Sequence, residues 1–165
     1  PIFLTLTDGH PLSIFDVNSV QDAQIGESEN LRPNLINGGN NNPVLGGPDK
    51  YYDPSQFVPS TCQSDRVCRA GDADYIPGYF GTLGGGTLTS PGLATLDFTL
   101  AKGFQIKEGQ RLQFRAEFFN LFNRANFGPP EQNAFNENVP NPEAGRIDTT
   151  SGSARQIQLT LRYTF

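Results

Sequence analysis

Residues 155–165 read RQIQLTLRYTF, and their side chains alternate strictly. Ile157, Leu159, Leu161, Tyr163 and Phe165 fall on one face of an extended chain, while Gln156, Gln158, Thr160, Arg162 and Thr164 fall on the other. Period-two alternation of this length marks a β-strand with one apolar face. Two surroundings satisfy it equally. In a soluble sandwich the apolar face packs on a core. In the wall of an outer-membrane barrel it faces lipid and the polar face lines the interior.

Upstream, Leu93 to Ile106 (LATLDFTLAKGFQI) repeats the pattern, with Ala94, Leu96, Phe98, Leu100, Phe104 and Ile106 opposite Thr95, Asp97, Thr99, Ala101, Gly103 and Gln105. Lys102 falls on the apolar side. A lysine facing lipid near the midplane costs on the order of 2 to 4 kcal/mol, falling toward zero at the interfaces. In a barrel, Lys102 is therefore expected near a rim, after a bulge, or turned away from lipid. Lys107-Glu108-Gly109-Gln110 then reverses the chain. In RLQFRAEFFNLFN, Leu112, Phe114, Ala116 and Phe118 oppose Arg111, Gln113, Arg115 and Glu117, and Arg115 can pair with Glu117. Residues 93–122 are read as a β-hairpin with a tight turn. At Phe118-Phe119 the alternation breaks into a cluster of aromatics and asparagines: Phe119, Asn120, Phe122, Asn123, Asn126 and Phe127. A barrel would use it as an interfacial aromatic girdle, a soluble domain as a bulged corner.

The remainder is dominated by turn formers. Eighteen Gly and 13 Pro among 165 residues leave room for only a modest core. Residues 1–7 (PIFLTLT) read as a strand ending at Asp8-Gly9. Residues 8–92 read as a long surface loop region with brief extended pieces at Leu12 to Val17 and Ser55 to Pro59, and residues 123–154 as a second loop before the terminal strand, 155–165. The expectation is a single unit over 1–165: all-β, with antiparallel strands of barrel-wall type and long irregular loops. Pro1 has neither an initiator Met nor a leader before it, so a processed product or a fragment is expected. No run of about 18 apolar residues occurs, which excludes a spanning helix and leaves a barrel untouched.

Chemistry-bearing residues are few. Cys62 and Cys68 stand in a polar, turn-rich segment without a second pair or a nearby His, so they read as a small disulfide loop in an oxidising compartment rather than a zinc site. A net charge of -5 and a pI near 4.8 exclude nucleic acid as the main partner, since no basic run could neutralise phosphates. His10 lacks a nucleophile and an orienting acid at any telling spacing. Gly81 to Gly86 (GTLGGG) lacks the Lys-Ser/Thr of a phosphate loop. Asp65, Asp72 and Asp74 lack calcium-loop spacing. No catalytic residue, cofactor or metal is expected. Tyr51, Tyr52, Tyr75 and Tyr79 are read as exposed loop aromatics suited to partner contact.

The stretch GTLGGGTLTSPGLATLDFTLAKGFQIKEGQRLQFRAEFFNLFNRANFGPP, followed by GRIDTTSGSARQIQLTLRYTF, resembles the C-terminal end of TonB-dependent-receptor-like outer-membrane proteins, in particular the Oar-like group that carries a carboxypeptidase-regulatory-like domain. Asp97, Lys102, Gln113, Arg115, Glu117, Asn120, Asn123 and Phe127 match that group's pattern position by position. RPN at Arg32 to Asn34 and YYDPSQF at Tyr51 to Phe57 resemble its upstream loop motifs. One departure is Gly85 or Gly86, where the group usually has Arg. The resemblance implies that Phe165 ends the signal read by the barrel-assembly machinery, that Ile157, Leu159, Leu161 and Tyr163 belong to it, and that long extracellular loops alternate with short periplasmic turns. It also implies uptake or surface binding at the outer membrane or cell exterior of a Gram-negative-type bacterium.

About four strong strands are visible, whereas a single-chain bacterial barrel needs roughly eight or more. The chain is thus expected to be incomplete as a closed barrel on its own. Its strand edges require either the remainder of a barrel or identical subunits. The alternative function is a processed, secreted structural subunit that self-assembles by strand addition into an extracellular filament or tube.

Overall fold

The structure, a computed structural model, describes residues 1–17, 31–77 and 80–165. In chain order its strands are β1 (Ile2–Thr7), β2 (Pro11–Leu12), β3 (Phe15–Val17), β4 (Asn34–Leu35), β5 (Phe57–Val58) and β6 (Leu88–Thr89). There follow β7 (Leu93–Lys107), β8 (Gln110–Phe119), β9 (Asn133–Asn136), β10 (Val139–Pro140) and β11 (Gln156–Thr164). One 3-10 turn, Pro54–Gln56, precedes β5. Asp53 caps it, and the Ser55 hydroxyl donates to the Asp53 carboxylate at 2.8 Å, which holds that carboxyl below its ordinary range. Among the described residues no helix is long and apolar enough to cross a membrane, a fact without bearing on β-barrels. The fold is all-β with antiparallel strands of barrel-wall type, and among the described residues it is not closed into a barrel.

Where a single unit with loops is expected, the residues divide into two compact units. The first, the sheet unit, comprises Pro1–Asp8, Gly92–Phe127 and Thr150–Phe165. Its strands lie in the order β1-β7-β8-β11, and every neighbouring pair is antiparallel. The hairpin turns at Glu108-Gly109, where Gly109 takes φ +80°, a left-handed value that a side chain would oppose. β8 ends at Phe119, three residues before the expected boundary, because Asn120 turns to φ 50°.

The second, the insert unit, comprises Gly9–Pro91 and Gly128–Thr149. Much of the region expected to be surface loop packs here. Ile14, Tyr52, Phe57, Leu83, Leu88, Ala134, Phe135 and Ala144 form a buried cluster, with Leu12 and Leu35 against it. Short pairings hold the chain around it: β2 with β6, β4 with β5, and a three-stranded sheet in the order β10-β9-β3. β3 runs parallel to β9, which departs from the otherwise antiparallel expectation, and β9 and β10 lie within the segment read as the second loop. Gly145 sits at φ +82°, and a Cβ there would stand 3.2 Å from the backbone N and O of Tyr52.

A smaller cluster gathers Val58 and the two cysteines, with Ile36 and Tyr75 packed on it. Cys62 and Cys68 are joined as a disulfide and are at most 1% exposed. The covalent loop presents Asp65, whose carboxylate accepts from the Asn37 amide at 2.8 Å. Closing so short a loop removes unfolded-chain entropy worth about 2 kcal/mol. Replacing both cysteines by Ser should lower the stability of the insert unit by about that amount, read as a reduced urea midpoint. An unchanged midpoint would contradict the bracing role.

Candidate functional site: an apolar sheet face, its rim and its edges

Pairing within the sheet unit lines up residues that alternation alone only suggests. Ile2, Leu4 and Leu6 of β1 stand opposite Phe98, Leu96 and Ala94 of β7. Phe98, Leu100 and Phe104 stand opposite Phe118, Ala116 and Leu112 of β8. Those three residues of β8 stand opposite Ile157, Leu159 and Tyr163 of β11, while Phe114 meets Leu161. Because residues directly opposite share a face, one apolar face runs across all four strands. It is not buried: Leu4, Leu159 and Leu161 are 60, 66 and 68% exposed. The opposite face carries Thr5, Asp97, Thr99, Arg115, Glu117, Gln158, Thr160 and Arg162, with Phe3, opposite Asp97, as its apolar exception. There Arg115 pairs with Glu117 at 3.7 Å.

The two ends of this sheet differ. At the hairpin end lie Phe104 and Tyr163, both level with Leu112, and the Tyr163 ring stacks on Phe165 at 5.8 Å. A register shift falls between Gln105 and Lys107, beyond Lys102, so no bulge removes Lys102 from the apolar face. At the other end three asparagines spaced by three tie the corner after β8 to its neighbours. Asn120 donates its side-chain amide to Arg124 O at 3.0 Å and Ser153 O at 3.1 Å, and its Oδ1 accepts from the Arg124 amide at 3.0 Å. Its own amide donates to Asp97 at 2.9 Å. Asn123 Oδ1 accepts from the Arg155 amide at 2.9 Å, just before β11, and Asn126 Oδ1 from Ala94 at 2.9 Å, near the start of β7. Asn120 and Asn126 are 6 and 3% exposed. These are short polar side chains that reach neighbouring backbone groups, a task apolar residues could not perform.

Sequence reading singled out this cluster for its aromatics and missed the partners of its asparagines. The N-x-x-N-x-x-N spacing was the available signal. The edges are the third feature: β1 and β11 each pair on one side only among the described residues.

The insert unit corrects the tyrosine expectation. Tyr52 is fully buried, its hydroxyl donating to Glu131 O at 3.0 Å, and Tyr51 is 6% exposed, donating to Thr89 O at 2.8 Å. Burial raises both phenols above their ordinary value, with the Glu131 charge adding to the shift at Tyr52. A large ring whose hydroxyl finds a backbone acceptor suits a core, so these two anchor packing rather than offer a surface. Tyr75 is half-buried against the disulfide and lines a cleft of about 390 Å³ with Val67, Val139 and Pro140. Tyr79 lies outside the described residues.

The acids of the cysteine segment are engaged with a cation: Arg66 reaches Asp74 at 2.6 Å and Asp72 at 3.4 Å. The Ser64 hydroxyl also bonds Asp74, and this contact holds the carboxyl below its usual range. Among the described residues no group of three or more His, Cys, Asp or Glu is placed to hold a metal ion.

The family model described as outer membrane beta barrel domain matches residues 2–158. No curated protein and no solved structure matches the chain.

Asn120→Ala should free the Arg124 amide and remove the donor from two backbone carbonyls, at about 0.5 to 1.5 kcal/mol for each hydrogen bond lost. Hydrogen exchange should quicken at Arg124 while the Leu100 and Ala116 amides of the central strands keep their protection. Unaltered exchange at Arg124 would contradict the clasp.

Proposed function

The chain belongs to the outer membrane β-barrel domain family, and on that premise we propose that it forms the C-terminal part of the wall of a TonB-dependent-receptor-like barrel of the Oar-like type, acting in substrate uptake or surface binding. Its place is the outer membrane of a Gram-negative-type bacterium. The observation that carries the reading is the exposed apolar face, continuous over four registered strands and backed by a polar face. That is what a wall between lipid and an aqueous interior requires.

Connectivity supports the same reading. Thr7 pairs with Leu93 and Gln156 with Phe119, so the two inserted segments leave the sheet at one end, while β7 and β8 join by a tight turn at the other. Long loops at one end and short turns at the other are the asymmetry of outer-membrane barrels. On this reading the inserted end faces the cell exterior and the Glu108-Gly109 turn the periplasm. Ile157, Leu159, Leu161, Tyr163 and Phe165 serve as the terminal signal for barrel assembly. The edges of β1 and β11 meet further strands of the barrel. The chain performs no catalysis and holds no cofactor; its contribution is wall and surface.

The open edges also support a second reading, a secreted subunit that polymerises by strand addition. Arginine substitutions on adjacent residues separate the two. In a membrane wall, Leu159→Arg puts a charge into lipid at about 2 to 4 kcal/mol, whereas Thr160→Arg faces the interior and costs little. The expected result is loss of the Leu159→Arg protein from the outer-membrane fraction with Thr160→Arg retained. Equal tolerance of both, together with regular polymers soluble without detergent, would favour the filament.

A further inference from the structure

We propose that Lys102 is a headgroup anchor on the lipid-facing side of the wall, its ammonium meeting the phosphate of an anionic phospholipid in the periplasmic leaflet. This rests on the preceding reading of the sheet as barrel wall with its hairpin turn in the periplasm. Lys102 stands opposite Phe114, which stands opposite Leu161, so its backbone belongs to the apolar face. Among the described residues the other cation in those rows is Lys107, opposite Gln110 past the register shift and beside the turn, and no carboxylate shares them. A charge so placed must either be paired or reach the interface.

The side chain takes the second course. Lys102 Nζ lies 5.9 Å from the centre of the Phe104 ring, one step nearer the turn. The stem therefore runs along the apolar face and the charged head is carried toward the hairpin end, as long basic side chains do at membrane boundaries. The Phe104 ring face attracts the cation. Phe104, Tyr163 and Phe165 together make an aromatic belt at that end, and such belts sit at headgroup level. One pair of residues along a strand spans about 7 Å, and strand tilt reduces the depth this represents. The ammonium thus arrives where phosphates begin. It offers three donors and no acceptor, which suits a phosphate oxygen. A lipid whose net charge is negative should be favoured about fivefold over a zwitterionic one by a single lysine at the surface.

The complete native protein is refolded into vesicles of phosphatidylcholine alone and of phosphatidylcholine with phosphatidylglycerol, and the folded-to-unfolded ratio is taken from urea titrations. Phosphatidylglycerol should raise that ratio about fivefold more for the wild type than for Lys102→Met. Lys102→Arg should keep the gain, and Lys102→Gln, neutral but polar, should lose it as Met does. An equal gain in the Met and Gln variants overturns the anchor while leaving the wall reading intact. Failure of the wild type to fold into either vesicle overturns the wall reading and the anchor with it.

Discussion

Backbone hydrogen bonding in lipid is the constraint on which this structure depends. Inside a bilayer there is no water to satisfy an N–H or C=O, so every strand must pair on both sides. β8 meets that condition along its length, whereas β7 pairs with β1 over residues 93–98 and with β8 over residues 98–107, so each half of it, like β1 and β11, meets it on one side. Exposed apolar side chains sharpen the demand, because the same strands that need partners also present Leu4, Leu159 and Leu161 outward. Membership of the outer membrane β-barrel domain family accords with both demands, since a barrel wall leaves no strand edge open and meets lipid with its apolar face.

The ends of the sheet solve a different problem. At the hairpin end the chain reverses over Glu108 and a left-handed Gly109, and aromatic rings cluster beside Lys102. At the other end the chain leaves the sheet for long excursions, and its backbone must be satisfied without ladder partners. Asn120 does this by donating its side-chain NH2 to the Arg124 and Ser153 carbonyls, and Asn123 and Asn126 by accepting at Oδ1 from the Arg155 and Ala94 amides. Left-handed values at Asn120 and Asn123 (φ 50° and 51°) explain the residue choice further, since asparagine tolerates that region better than most residues.

What the sequence made legible was whatever repeats with period two. The terminal strand, the 93–107 and 110–119 strands and their turn follow from alternation and one glycine, and the observed register keeps the expected faces from Ala94 to Gln105, from Arg111 to Phe118 and from Gln156 to Thr164, with Lys102 on the apolar one; Ile106 falls at the register shift and Phe165 beyond the pairing. The insert unit was not legible, because its core comes from isolated residues such as Ile14, Tyr52, Leu88 and Phe135 that carry no common period. Tyr51 and Tyr52 show why. In a Gly- and Pro-rich segment, exposure is set by tertiary packing, and nothing local announces that Glu131 O and Thr89 O wait for their hydroxyls. Gly85 is a further case: Arg32 Nη1 lies 3.3 Å from where a Cβ at Gly85 would stand, a neighbour that no local pattern announces.

The central claim is that one face of the sheet meets lipid and the other water. Its most direct test is a nitroxide scan along β11, from Gln156 to Thr164, on the native protein in its membrane, with collision by oxygen and by a water-soluble nickel chelate measured at each position. The account predicts oxygen-rich, chelate-poor environments at 157, 159 and 161 and the reverse at 158, 160 and 162. Uniform access of the water-soluble reagent to both sets would contradict it.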